Sequence, residues 1–336
     1  MLISLLKSIF GVANTEKIDK QKFPNSISEF RVISLGNFEQ SILIRGKDIS
    51  NPIILFIHGG PGLAEMHEVR TLSNFLEEDF TLVTWDQRGC GKSYSRNVPN
   101  LTHKQIAEDG AELIHYLKEK FNKDKIYLVT HSWGTVLGLD LAQLIPEDIK
   151  AIISIAQLVD FVRGELLSYR FALDQAKSNK DLRSVKVLEK IDEPQEGLYA
   201  NATKDLTTER KILMQQGGVY YNKDKFRYVA MLLLLSPEYT LREKLLYVKG
   251  VNQSLTAVWN SALTKTNFFK ELTTVSVPIY FFHGRADYIA PLCIVEEYFN
   301  LLKAPQKKLV IFERSGHNPR VDEPEKFIKE LYECFK

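Results

Sequence analysis

Apolar positions fall into two spacings, and the alternation between them is the first thing the chain reveals. Phe30 to Leu35 and Phe38 to Ile44 read as short strands separated by Gly36-Asn37, a hairpin signal. After Asn51-Pro52 the run Ile53-Ile54-Leu55-Phe56-Ile57 is continuously apolar, as strands covered on both faces are. A mixed helical stretch follows, then a strand at Thr81 to Trp85. From Thr102 to Lys120, Ile106, Leu113, Ile114 and Leu117 form a helical apolar stripe. Ile126 to Val129 reads as a strand, Thr135 to Leu144 as a helix ending near Pro146, and Ile152 to Ile155 as a buried strand. Four strand-helix alternations in succession predict an α/β architecture, a mostly parallel sheet with helices on both faces.

The alternation stops near Gln157. To about Thr274 the chain is largely helical and tyrosine-rich, with breaks at Gly217-Gly218 and Ser236-Pro237. Within it, Met231 to Leu235 is expected to be buried helix, since the run is too short for a membrane span. Strand and helix then alternate again: Val277 to His283, Pro291 to Leu302, Lys308 to Phe312, and a closing helix around Pro324 to Phe335. The expected organisation is a core in two parts, residues 1–157 and 275–336, interrupted by a helical insertion over 158–274.

Composition narrows the partners. With 336 residues, 44% hydrophobic and 26% charged, the chain is an ordinary soluble globule with enough length for a large core. A net charge of +2, with basic clusters such as Lys118 to Lys125 and Lys307-Lys308 beside acids or strands, predicts no nucleic-acid partner. Cys90, Cys293 and Cys334 are too few and too scattered for a disulfide framework, so a reducing, cytoplasmic location is expected. The apolar start, Met1 to Phe10, is broken by Lys7 and lacks a cleavage signal. It predicts a short helix packed on the body or a partner, without stable membrane insertion. Homo-oligomerisation is left open.

The chemistry collects after strands. Ile126 to Val129 runs through Thr130-His131-Ser132-Trp133-Gly134 into a helix, a strand-turn-helix that exposes a serine hydroxyl. The usual pattern has glycine two before and two after the serine; Gly134 obeys and Thr130 does not. The turn must therefore find room for a β-branched side chain, expected opposite Gly134. Earlier, His58-Gly59-Gly60-Pro61-Gly62 follows a strand, and the amides of Gly60 and Trp133 are candidates for an oxyanion hole. Asp86-Gln87-Arg88-Gly89-Cys90-Gly91-Lys92-Ser93 ends like a phosphate loop but lacks the glycine that loop requires at Asp86. Asp86 and Arg88 read instead as a charged pair bracing the loops, and Cys90 has no dedicated base. Asp287, in His283-Gly284-Arg285-Ala286-Asp287, and His317, in Ser315-Gly316-His317-Asn318-Pro319, each follow a strand. The order Ser132, Asp287, His317 is that of a serine triad carried on a parallel sheet. Asp160 is a second candidate for the carboxylate. His67-Glu68 lacks a second histidine for zinc, and no dinucleotide fingerprint occurs, so neither a metal nor a cofactor is expected.

With these motifs in place, the chain resembles the α/β-hydrolase family and, within it, the proline iminopeptidases and their relatives. The resemblance rests on His58 to Gly62, Asp86 to Ser93, Ser132-Trp133-Gly134, Gly284-Arg285-Ala286-Asp287 and Gly316-His317. It implies Ser132 as nucleophile, Asp287 as orienting acid, His317 as base, and the segment from Leu158 to Thr274 as a helical cap. Thr130 departs from the family pattern. So does Phe161 to Glu196, which has no tryptophan where the family carries a tryptophan- and glutamate-containing segment that receives a substrate's amino terminus. Glu165, Glu193 and Glu196 are the acids available for that task. The expected function is hydrolysis of a small or short-peptide substrate, first as an aminopeptidase of proline iminopeptidase type. A carboxylic ester, lactone or amide hydrolase is the alternative, and a non-catalytic binding protein on this fold is the third reading. Epoxide and haloalkane hydrolases want an aspartate in place of Ser132.

Overall fold

The computed structural model describes residues 13–222, 224–259 and 263–335; the expectation for Met1 to Phe10 lies outside them. Eight strands form one sheet in the order β1-β2-β4-β3-β5-β6-β7-β8. They are β1 (Ile27–Leu35), β2 (Phe38–Gly46), β3 (Ile53–Ile57), β4 (Thr81–Asp86), β5 (Ile126–His131), β6 (Ile149–Ile155), β7 (Ile279–Gly284) and β8 (Lys307–Phe312). The hairpin β1–β2 turns through Gly36 and Asn37, with φ of 52° and 57°, the left-handed pair that tight hairpins need. β2 pairs antiparallel with β4, and every pairing from β4 through β3 to β8 is parallel.

The continuous apolar runs are explained by cover on both sides. Along β3, Ile53, Leu55 and Ile57 enter one cluster with α1 (His103–Phe121) and α2 (Trp133–Leu144). Ile54 and Phe56 enter another with Phe80 and with Phe327, Leu331 and Phe335 of the last long helix. Alternate side chains of a strand point to opposite faces, so a strand between two helical layers must be apolar throughout. Thr102 caps α1 by accepting from the Gln105 amide at 3.2 Å, and Asn122 ends it in the left-handed conformation.

Between β6 and β7 lie five described helices of ten or more residues: α3 (Phe161–Ser178), α4 (Leu182–Ile191), α5 (Ala202–Gln215), α6 (Asp224–Leu235) and α7 (Leu241–Trp259). The core then resumes with α8 (Leu292–Leu301) and closes with α9 (Pro324–Phe335). The expectation that Met231 to Leu235 is buried is not met. No described residue of α6 is buried, and Leu234 is 59% exposed. Five successive apolar residues point all round a helix, so the faces of α6 turned away from the short helical turn Met66–Val69 on which it rests leave Met231, Leu234 and Leu235 exposed. Among the described residues, no helix is long and apolar enough to cross a membrane.

Candidate active site

The turn from β5 into α2 holds Ser132 at φ 53°, ψ −121°. A non-glycine residue in that region is strained and persists only where its surroundings hold it. Here the Ser132 amide donates to the Ile155 carbonyl at 2.9 Å, and the Thr135 amide donates to the Ser132 carbonyl at 2.8 Å. Gly134 is required because a Cβ there would stand 2.3 Å from the Ile57 carbonyl oxygen, where α2 crosses the end of β3. Thr130 does not face Gly134, contrary to expectation. Its methyl carbon Cγ2 would be 2.8 Å from a Cβ on Gly138, one turn further along α2. The room for the β-branched side chain is thus made by a different glycine. Thr130 Oγ1 turns toward the Ile153 carbonyl at 3.4 Å.

The loops after β7 and β8 bring Asp287 and His317 together. His317 Nδ1 lies 2.9 and 3.1 Å from the two Asp287 carboxylate oxygens, and Asp287 Oδ1 also accepts from the amides of Ile289 and Ala290 at 2.9 and 3.0 Å. Burial alone would raise the Asp287 carboxyl, but the His317 ring beside it and these donors reverse the sign and hold it below its usual range. Asp160, the other candidate carboxylate, instead caps α3 by accepting from the Arg163 amide at 3.1 Å.

A strap from the inserted region ties these loops. The Tyr288 amide donates to the Gly218 carbonyl at 2.9 Å, and the His317 amide donates to the Val219 carbonyl at 2.7 Å. The Val219 carbonyl oxygen comes so close that a Cβ on Gly316 would be 2.2 Å away. The break at Gly217-Gly218 thereby has a purpose, as does the glycine before His317.

Of the first-loop residues, Gly59, Gly60 and Pro61 line the same cavity as Ser132, while Gly62 passes beneath Ser254 of α7. Gly60 sits at φ 117°, a conformation open to glycine and strained for other residues. Trp133 is the first residue of α2, where the helix offers its amide no acceptor. Its indole donates to Gln87 Oε1 at 3.2 Å, and Gln87 Nε2 donates to the His58 carbonyl at 2.9 Å, so Gln87 joins the first loop to the serine turn.

The expected Asp86–Arg88 pair does not form. Arg88 grips Asp109 at 2.7 and 2.8 Å and the carbonyls of Leu35, Gly36 and Pro99. Asp86 accepts from the Lys92 amide and the Tyr239 hydroxyl at 2.8 and 2.9 Å, and burial pushes its carboxyl up to about 7. Cys90 Sγ does have a histidine 3.3 Å away, His58 Nε2. Burial pushes that thiol up and His58 down to about 4, so both stay neutral and inert.

The cavity over Ser132 and His317 has a volume of about 440 Å³. Phe161, Met214, Phe226, Val251 and Trp259 from the inserted helices and Ile289 from the core make it chiefly apolar. Of the three cap acids, only Glu165 reaches it. Glu193 and Glu196 line a separate outer cleft with Asp160 and Lys270, and Glu193 pairs with Arg170 at 2.9 Å. Glu165 pairs with Arg210, which also pairs with the buried Glu209. Burial, reinforced by Glu209 against the pull of Arg210, pushes the Glu165 carboxyl up to about 7. Among the described residues, its Oε2 is buried without a hydrogen-bond partner.

Glu65, His131 and Arg320 also stand at this site, and neither motif nor spacing singled them out. Glu65 and His131 line the cavity. His131 precedes Ser132 directly, the one sequence signal that could have drawn attention to it.

Comparison with known proteins gives the family. The profile of the alpha/beta hydrolase fold family matches residues 52–324, and the chain belongs to that family. It is a serine-hydrolase-type enzyme of the proline-iminopeptidase-related branch. It is similar to the "Probable aminopeptidase YbaC" of Bacillus subtilis, at 30% identity over 91% of this chain and 96% of that protein. The "Proline iminopeptidase" of Heyndrickxia coagulans is 25% identical over 82% of this chain and 87% of its own length. Among solved structures, a proline iminopeptidase-related protein from Thermus thermophilus superposes with a TM-score of 0.66. It has 20% identity, and the match covers 92% of this chain and 97% of that one.

Proposed function

We propose that this protein hydrolyses a small carboxylic ester or amide, lactones included, through an acyl-enzyme on Ser132. The supporting observation is that Ser132 and His317 open on one largely apolar cavity while Asp287 holds the far ring nitrogen, Nδ1, of that histidine. In the first step His317 Nε2 takes the Ser132 proton as the hydroxyl oxygen attacks the carbonyl carbon. Asp287 fixes the ring tautomer, and the amides of Gly60 and Trp133 receive the oxyanion. The imidazolium then protonates the leaving group, and water repeats the sequence on the acyl-enzyme. The helices over 158–274 act as a cap whose apolar side chains hold the acyl group. Turnover of 4-nitrophenyl acetate and butyrate, with covalent labelling by a fluorophosphonate, tests the reading. Ser132→Ala should abolish both, and labelling that persists in that variant would overturn the assignment.

A second reading, an aminopeptidase that releases an amino-terminal residue, is favoured by Glu165. Two acids share one Arg210, and the unpartnered Glu165 oxygen lies in a carboxylate that borders the cavity, which suits a substrate ammonium group. The name of the Bacillus subtilis relative points the same way. Aminoacyl arylamides, free and amino-blocked, separate the readings: the aminopeptidase requires the free amine, and equal turnover of blocked substrates leaves the ester or amide hydrolase.

A further inference from the structure

The cavity wall contains a second histidine-carboxylate pair that the acyl-transfer scheme leaves unused. Glu65 lies in the segment after the first loop, is 6% exposed, and places its Oε1 2.6 Å from His131 Nδ1. The same oxygen accepts from the Gly59 amide at 3.3 Å. Its Oε2 accepts from Arg320 at 2.7 Å, and Arg320 also approaches His131 Nδ1 at 3.0 Å. The other nitrogen of His131 lies 3.0 Å from the main-chain carbonyl oxygen of His317. The rings of His131 and His317 are 5.2 Å apart. Around this centre, Arg320 donates to Asn318 Oδ1 at 3.2 Å, and Asn318 donates to Glu68 Oε2 at 2.7 Å.

We propose that Glu65 is the positioning residue of the site, holding the first loop, the serine turn and the base loop in register through Gly59, His131 and Arg320. The proposal rests on the acyl-transfer reading above. Three loops from separate strand ends carry these groups: β3 and β5 pair up to Ile57 and Thr130 and so bring the first loop and the serine turn side by side, but the base loop leaves β8 at the sheet edge, three strands from β5, and needs further contacts to be held against them. One carboxylate touches all three: Gly59 beside the Gly60 amide, His131 beside Ser132, and Arg320 three residues after His317. Both Glu65 oxygens are occupied by protein donors, which leaves it to act on the chemistry through its neighbours. Burial would raise this carboxyl, but Arg320 and His131 outweigh it and hold it well below the usual range, so Glu65 stays charged and its contacts stay charge-assisted. A displacement of about 1 Å in a reacting group costs roughly a hundredfold in rate.

The test uses the full chain, 4-nitrophenyl butyrate and a fluorophosphonate to titrate competent sites. Glu65→Ala should lower kcat per titrated site about a hundredfold and leave KM within about threefold, with Glu65→Gln recovering much of the loss. Removing one partner of a buried ion pair can unfold a protein, so the double variant Glu65→Leu with Arg320→Met, which removes both charges at similar volume, keeps the question answerable. It should fold as well as the wild type and remain slow. Full kcat per site in the double variant would reduce Glu65 to a stability role and overturn the proposal, as would a rise in KM at constant kcat. The low-field proton resonance of the His317–Asp287 hydrogen bond gives a readout independent of turnover. It should broaden in Glu65→Ala and persist in Glu65→Gln; an unchanged signal in Glu65→Ala contradicts positioning. A wild type that neither labels nor turns over would fail the hydrolase reading alone, with the resonance still deciding the role of Glu65.

Discussion

Replacing Gly138 with alanine should cost this protein stability for a reason that disappears when one methyl group is removed from Thr130. A Cβ at residue 138 would meet Thr130 Cγ2 at 2.8 Å, against about 3.5–4.0 Å for an ordinary carbon-carbon contact, so something must yield by about 0.7 Å. Thr130 has little freedom to do so. It is fully buried, it pairs with Ile57 on β3 and Ser154 on β6, and its hydroxyl faces the Ile153 carbonyl. Overpacking of this kind costs about 1–3 kcal/mol, and the better helix propensity of alanine returns about 1 kcal/mol. Gly138→Ala alone should therefore destabilise by up to about 2 kcal/mol, a fall of up to about 3 °C in Tm at roughly 1.4 °C per kcal/mol for a chain of this length. Thr130→Ser keeps Oγ1, which would sit at an acceptable 3.4 Å from the new Cβ, and deletes the clashing methyl at about 1 kcal/mol for lost burial. In the Thr130→Ser background Gly138→Ala should become neutral or stabilising, giving a coupling of about 1–3 kcal/mol. Thermal unfolding of the four proteins closes the cycle. The rate of fluorophosphonate labelling reports whether α2 has carried Ser132 with it, and should fall about tenfold or more in Gly138→Ala alone. Equal effects of Gly138→Ala in both backgrounds, within the roughly 0.5 kcal/mol expected of independent sites, would refute the reasoning.

Three further outcomes are expected. Asp287→Asn preserves the shape of the site but removes the acceptor that sets the His317 tautomer, and should lower kcat by roughly 10⁴-fold with little change in Tm. Gly316→Ala drives a methyl against the Val219 carbonyl oxygen, 2.2 Å away on the main chain; it should separate the strap from the base loop and lower both Tm and labelling rate. If Glu165 receives a substrate ammonium, kcat/KM for a free-amine arylamide relative to its amino-blocked form should rise with pH through about 7. The sign follows from a carboxyl neutral below that value and anionic above it, and Glu165→Gln should flatten the ratio.

The sheet was legible because each strand from β3 onward is built around a short, mainly apolar run, unbroken in β3, and two helical layers leave a central strand no polar face. Ser132, Asp287 and His317 were legible because each lies in the loop or turn that follows such a run. The cap acids were not. Glu165, Glu193 and Glu196 are equivalent as letters on helical text, and only the packing of α3 against α5 buries the first beside Arg210 while leaving the other two at an outer cleft. The run Met231 to Leu235 misled for a related reason, since hydrophobicity states a preference for burial and not whether a neighbour is there to satisfy it.

The chain by itself determined the alternation of strands and helices, the place of the insertion and the three loops that carry Ser132, Asp287 and His317. These depend on periodicity and turn chemistry over a few residues, which are local properties of the text. Tertiary structure decided that Thr130 fits against Gly138, that Val219 lies over Gly316, and that Glu65 meets His131 and Arg320 across 66 and 255 positions of sequence. Such contacts depend on how elements distant in the chain are brought to within a few ångströms, and short-range side-chain packing there selects which of several equivalent letters acts.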